Sequence, residues 1–233
     1  MLAWGIGFWM WRLTLACGIL FLLSVEYSAA MRGALAVNLG DLTVAPSWYD
    51  ILLCSETLVS DMHHVSEILV PGFGLSVLLC QGKMPWAWGA AYVRDGYRAF
   101  CQPKFECGCY EMLVFRVCGG RRNLHVFSLY CNPDLDDRIF DCLLSSMAVM
   151  QTEDICASFL FVCDLNGYHQ EWFGSTTTNH HGVAAFDFTT VSGCDQLIVG
   201  LTHECGGTLD LFMTDVPDLV RVAVAAPVGN SDH

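Results

Sequence analysis

Four short segments of this 233-residue sequence place polar side chains at the ends of apolar runs, where a rigid strand can aim them. Tyr49-Asp50-Ile51-Leu52-Leu53-Cys54 runs into Ser55-Glu56-Thr57, and Ser158-Phe159-Leu160-Phe161-Val162-Cys163 runs into Asp164-Leu165-Asn166-Gly167. Thr208-Leu209-Asp210-Leu211 sets one carboxylate inside an apolar strand, and Gly229-Asn230-Ser231-Asp232-His233 closes the sequence. Three of these have an ordinary structural explanation: Glu56 at a helix N-terminus, Asp164 and Asn166 in a turn, Asp232-His233 in a solvated tail. Asp210 is different, because a carboxylate between Leu209 and Leu211 in a strand is costly unless paired. Together they make a strand-end Glu, an Asp-x-Asn, a strand-embedded Asp and an Asp-His pair. That set suits metal-assisted phosphoester hydrolysis, with carboxylates for the ion, an acid–His pair, and amide donors for the phosphate.

Positioning these groups requires strands. Apolar runs with β-branched and aromatic residues, bounded by Gly, Pro or Asn, predict strands over Asp50–Cys54, Leu75–Leu79, Ala90–Arg94, Glu111–Val117 and Leu124–Tyr130. Further runs predict strands over Ser158–Cys163, Gln196–Val199, Thr208–Thr214 and Leu219–Ala225. Asn132-Pro133-Asp134 supplies a turn and an N-cap, and Asp136 and Asp137 favour the positive end of a helix dipole. Leu135, Ile139, Leu143 and Met147 then share one helical face, and a second helix is expected over Gly182–Thr190. Many strands with few helices between them indicate an α/β or α+β sandwich in a single domain.

Composition narrows the function. The chain is 54% hydrophobic and 15% charged, which excludes disorder, collagen and coiled coil. Net charge is −13, and from Ile139 to His233 Arg221 is the one basic residue against twelve acidic ones. Such a balance argues against a plain duplex-binding module, but an acidic half can supply carboxylates to a divalent metal. Thirteen Cys without a CxxC read as mostly buried free thiols rather than zinc knuckles. His63-His64 and His180-His181 read as exposed loop residues, and Trp172 as core. Arg94, Arg98, Lys104, Arg116, Arg121 and Arg122 are candidates for a DNA-facing patch. Residues 1–33 form a hydrophobic leader that could be a signal peptide, an anchor or an accidental fusion, with Arg12 ahead of the apolar run from Leu13 to Val25. The domain is expected over residues 34–233.

In the order and spacing of its motifs the sequence resembles the endonuclease/exonuclease/phosphatase superfamily, and more narrowly the apurinic-type endonuclease domain of LINE (non-LTR) retrotransposon polyproteins. The matching stretches are the segment around Glu56, Phe127-Ser128-Leu129-Tyr130 with Asn132-Pro133, and Phe161-Val162-Cys163-Asp164-Leu165-Asn166-Gly167 with His169 and Trp172. Leu201-Thr202-His203 with Gly207-Thr208-Leu209-Asp210, and then Ser231-Asp232-His233, complete the series. The resemblance implies a four-layer α/β sandwich, two packed mixed β-sheets flanked by helices, and Mg²⁺- or Mn²⁺-dependent hydrolysis of a DNA phosphodiester. It implies Glu56 and Asp232 as metal ligands and Asp164 as the group that orients or deprotonates the attacking water. Asn166 and Tyr130 would contact the phosphate, and His233, held by Asp210, would stabilise developing charge. A DNA substrate, a monomeric chain, and a reverse transcriptase domain in a parent polyprotein are implied as partners. A nuclear or cytoplasmic location follows, unless residues 1–30 act as a signal or anchor and bring the chain to a membrane.

Several positions depart from the family pattern. Asn38, 18 residues before Glu56, is the candidate for an upstream Asn motif, at a separation short for a strand, a helix and a return. Cys163 stands where Gly is usual, Cys131 where a basic residue is common, and Leu201 where Pro is usual. With Asp232-His233 at the end of the sequence, the final strand is expected to be missing and the domain truncated. The alternatives to an active nuclease are therefore an inactive truncated remnant and a secreted or anchored phosphoesterase of the same superfamily.

Overall fold

A computed structural model describes residues 19–23, 50–55, 72–74, 90–107, 110–119, 122–131, 138–172, 175–202 and 207–220. The smaller sheet runs in the order β1 (Ile19–Leu23), β2 (Ile51–Ser55), β4 (Ala90–Arg94), β3 (Phe73–Gly74), and its described pairs are all antiparallel. The larger sheet has the order β5 (Arg98–Cys101), β6 (Glu111–Gly119), β7 (Arg122–Tyr130), β8 (Ala157–Asp164), β10 (Asp210–Thr214), β9 (Asp195–Gln196). Its pairs are antiparallel except β7 with β8, which is parallel. A parallel neighbour requires the chain to cross back to the sheet's other end, and helix α1 (Arg138–Glu153) lies within that crossover. Helix α2 (His180–Ser192) follows β8.

Alternation along the central strands fills two separate apolar layers. Leu113, Phe115, Val126, Leu160, Val162 and Phe212 face Ile51, Leu53, Ala91 and Val93 of the smaller sheet. Val114, Phe127, Leu129, Phe159, Phe161 and Leu211 face the other way, against Ile139, Leu143 and Met147 of α1 and Ala185 and Phe188 of α2. Phe127 stacks on Phe161 with ring centroids 4.8 Å apart, and Phe161 meets Phe188 edge-on at 5.1 Å. Such pairs add about 0.5–1.5 kcal/mol each beyond the area they bury. The expected mixed α/β sandwich is therefore present, with three layers visible among the described residues: small sheet, large sheet, helices.

Local chemistry explains where the elements differ from expectation. The strand expected over Gln196–Val199 stops at Gln196, whose own side chain takes both backbone groups of Ile198: Oε1 accepts from its N–H and Nε2 donates to its carbonyl. The run over Thr208–Thr214 pairs only from Asp210, because the Thr202 hydroxyl accepts the Leu209 N–H at 2.9 Å. Pro217–Leu219 forms a 3-10 turn where a strand was expected to begin, and the strand expected over residues 75–79 lies outside the described residues. β5 carries no sequence signal beyond four mostly exposed residues, and it exists because β6 offers an edge. The second helix starts two residues earlier than Gly182, so His181 is buried rather than in an exposed loop; His63-His64 lie outside the described residues. Cys101, Cys107, Cys118, Cys131, Cys142, Cys156, Cys163 and Cys194 are free thiols, of which Cys131, Cys163 and Cys194 are buried and Cys101 and Cys156 exposed. Trp172 is in the core, as expected.

His125 ties stability to pH. It is buried on the helix side of β7, its Nδ1 lies 2.8 Å from Gln102 Oε1, and its ring stacks on Phe159. Burial, and then the neighbouring Arg116 charge, lower its pKa from 6.5 to about 4. Between those values the unfolded chain takes up a proton that the folded chain refuses. His125 therefore removes stability as pH falls from about 6.5 to 4, by at most about 1.4 kcal/mol per pH unit. Urea unfolding at pH 6.5 and pH 5 should show a smaller acid-induced loss in His125→Asn than in the wild type; an unchanged difference would refute this assignment.

Candidate active site

The carboxylates converge because of strand register. Glu111 pairs with Tyr130 across β6 and β7, Tyr130 with Asp164 across β7 and β8, and Asp164 with Asp210 across β8 and β10. Directly opposed residues in a sheet point to the same side. All four therefore lie in one row on the face turned toward the smaller sheet, at that face's end. The row beneath is Leu113, Ser128, Val162 and Phe212, so polar chemistry begins where the apolar layer stops. Asp164 and Asp210 are both only 3% exposed, while Glu111 and Tyr130 are half-buried. Two opposed like charges repel, so this pair is favourable only with a cation or donor between its members.

A short hydrogen-bond network holds the loop beyond Asp164. The Asp164 carboxylate accepts the Asn166 N–H at 3.2 Å, closing an Asx turn, and Asn166 has the left-handed φ of 48° that Asn tolerates better than most residues. The Asn166 amide donates to the Cys131 carbonyl at 3.1 Å, and the Cys131 N–H donates to the Asp164 carbonyl at 2.8 Å, joining the ends of β7 and β8. Asn179, the N-cap of α2, accepts from Gly182 and from Tyr168 at 2.9 Å each and donates to the Asn166 carbonyl at 3.1 Å. A side chain at Gly182 would place its Cβ 1.8 Å from the Tyr168 carbonyl oxygen, so only Gly lets the helix start so close to the loop. On the other flank, the Thr202 hydroxyl accepts the N–H groups of both Leu209 and Asp210, and Thr208 donates to the Gly200 carbonyl at 2.7 Å.

Cys163 lies behind the acids on the helix side. Burial, and then Cys131, Asp164 and Asp210, push its thiol well above its ordinary pKa. It stays protonated and acts as a core residue, not a nucleophile.

Of the sequence-derived site residues, Tyr130, Asp164 and Asp210 share the row and Asn166 sits on the loop directly above it. Asn38, Glu56, Asp232 and His233 lie outside the described residues. Among the described residues no group of three His, Cys, Asp or Glu side chains is placed to hold a metal. The network adds Asn179, which the sequence signals as an Asn three residues before Gly182, and Thr202, whose two backbone acceptances have no sequence signature. The basic candidates do not gather at the row: Arg94 pairs with Asp50 at 3.3 Å, Lys104 with Glu153 at 2.7 Å, and Arg122 donates to Ser158. Arg98 and Arg116 lie on either side of Phe100, and Arg121 is outside the described residues.

The arrangement of sheets and helices is similar to that of a retrotransposon endonuclease domain. Among solved structures, the endonuclease domain of TRAS1, a telomere-specific non-LTR retrotransposon, matches with a TM-score of 0.58 and 15% identity, over 75% of this chain and 75% of that one. No protein-family model matches the sequence, and no curated protein matches it. At that identity the likeness is one of fold.

Asn179→Ala removes an N-cap together with the partners of Tyr168 and Asn166. A loss of about 1–2 kcal/mol is expected in chemical denaturation, with faster hydrogen exchange at the Tyr168 and Gly182 amides. Unchanged exchange at both amides would refute the anchoring role.

Proposed function

We propose that this chain is a metal-dependent endonuclease that hydrolyses phosphodiester bonds in DNA and derives from a LINE-type retrotransposon. The observation that carries the reading is the row Tyr130–Asp164–Asp210 at the end of the inter-sheet face, with Asn166 anchored over it. The site offers hard carboxylate oxygens, which suit Mg²⁺ or Mn²⁺. Glu56 and Asp232 are the ligands assigned by resemblance, and the ion when bound supplies Lewis-acid polarisation of the phosphate.

The chain's own residues account for the remaining chemistry. Asp164 is almost fully buried and held at the strand end, where its carboxylate can orient or deprotonate an attacking water. One Asn166 amide hydrogen is taken by the Cys131 carbonyl; the other is free to donate to a phosphate oxygen. Tyr130 adds a hydroxyl donor on the next strand. His233 is the partner that the resemblance assigns to Asp210, and an imidazole held there would offset the negative charge that grows on the phosphate in the transition state.

Nicking of supercoiled plasmid by the full chain tests the reading. Activity with Mg²⁺ and none with EDTA is expected, with a loss of about 10²–10⁴-fold in Asp164→Asn and of similar size in His233→Ala. A folded chain that does not nick, or Asp164→Asn nicking at the wild-type rate, would overturn it; the first outcome is that of an inactive remnant.

A further inference from the structure

Most described basic side chains are already engaged, but Arg98 and Arg116 are not. Among the described residues neither has a carboxylate partner, and Arg116 Nε is buried without a hydrogen-bond partner. Both converge on Phe100, with guanidinium carbons 5.8 and 5.4 Å from its ring centroid. Phe100 pairs with Arg116 and Arg98 with Cys118 across β5 and β6, so the three side chains share one face at the sheet's edge. Phe100 is 43% exposed. This is the helix-side face, opposite the carboxylate row. Arg116 is five steps along β6 from Glu111, about 17 Å along the strand.

Two positive charges without an ion-pair partner among the described residues, of which Arg116 acts electrostatically on Asp154, select an anion. An exposed aromatic ring between them selects a partner that is also flat and apolar. A nucleic acid strand with unstacked bases supplies both. A duplex keeps its bases stacked inside, and an acidic peptide supplies charge without the rings. We infer that Arg98, Phe100 and Arg116 form a docking surface for single-stranded nucleic acid, with a base packed on the exposed part of Phe100 and flanking phosphates held by the two guanidinium groups. The surface is separate from the carboxylate row, so its binding does not require the chain to be a nuclease.

Fluorescence anisotropy of a labelled oligo-dT 12-mer with the full chain in EDTA tests the inference. Phe100→Ala should weaken binding about 5- to 100-fold. Arg98→Gln should reduce the slope of log affinity against log salt by about 0.7. Both residues are exposed, and circular dichroism should show both variants folded. Asp164→Asn should bind like the wild type even if it abolishes nicking, which separates failure of this surface from failure of the hydrolytic site. Four outcomes would overturn the inference: no saturable binding, Phe100→Ala within two-fold of wild type, a blunt duplex bound as tightly, or a poly-glutamate peptide competing as well as oligo-dT.

Discussion

The parallel pairing of β7 with β8 is the constraint on which the rest of this molecule depends. Antiparallel neighbours end at opposite ends of a sheet, so two consecutive strands joined by a hairpin cannot both finish at the same edge. A parallel pair does, and here the edge holds Tyr130 and Asp164 side by side. The cost is a crossover, which loop-closure entropy makes unfavourable until the helix within it packs. Helix α1 offsets that cost by burying Ile139, Leu143, Met147 and Met150 against the same strands. The apolar layer under α1 and the polar row on the other face are thus two results of one connection.

The second strand to reach the row arrives from the opposite direction. β10 runs antiparallel to β8, so Asp210 is at its beginning where Asp164 is at the end. Each of these ends is fixed by borrowed backbone hydrogen bonds: Thr202 takes the amides of Leu209 and Asp210 at the start of β10, while Asn166 donates to the Cys131 carbonyl and the Cys131 N–H donates to the carbonyl of Asp164, the last residue of β8. At the far end of the sheet the same device recurs, where Asp215 accepts the Phe159 N–H at 2.7 Å and Thr214 donates to the Phe159 carbonyl at 2.7 Å. Strand ends are where unpaired backbone groups would otherwise lie beside charges, and small polar side chains satisfy them.

Much of this was legible in the sequence, and the parts that were not share a physical cause. Ala90–Arg94 and the core of β6, β7 and β8 read directly, because alternation and β-branched content reflect burial on two faces. Asp210 stood out because a carboxylate inside an apolar strand is costly unless paired, and Asp164 with Asn166 as an Asp-x-Asn at a strand end. What the sequence does not carry is side-chain competition for backbone, as in Gln196 satisfying Ile198 or Thr202 satisfying Leu209 and Asp210. Nor does it carry partner choice among charges: the five described basic candidates, alike in sequence, divide in space into two ion pairs, a hydroxyl contact and the two that flank Phe100. β5 was missed for the reason edge strands often are, since its residues need not be buried to be paired.

Because side chains alternate along β8, its register decides which residues its end presents to the carboxylate row. One residue inserted earlier in β8 would turn the Asp164 carboxylate toward the layer beneath the helices and bring Cys163 to the row in its place. An insertion in the crossover around α1 would leave the row untouched. In lineages descended from this chain, length variation should therefore gather in the crossover and be purged from the eight residues of β8, a pattern of gaps set by geometry alone.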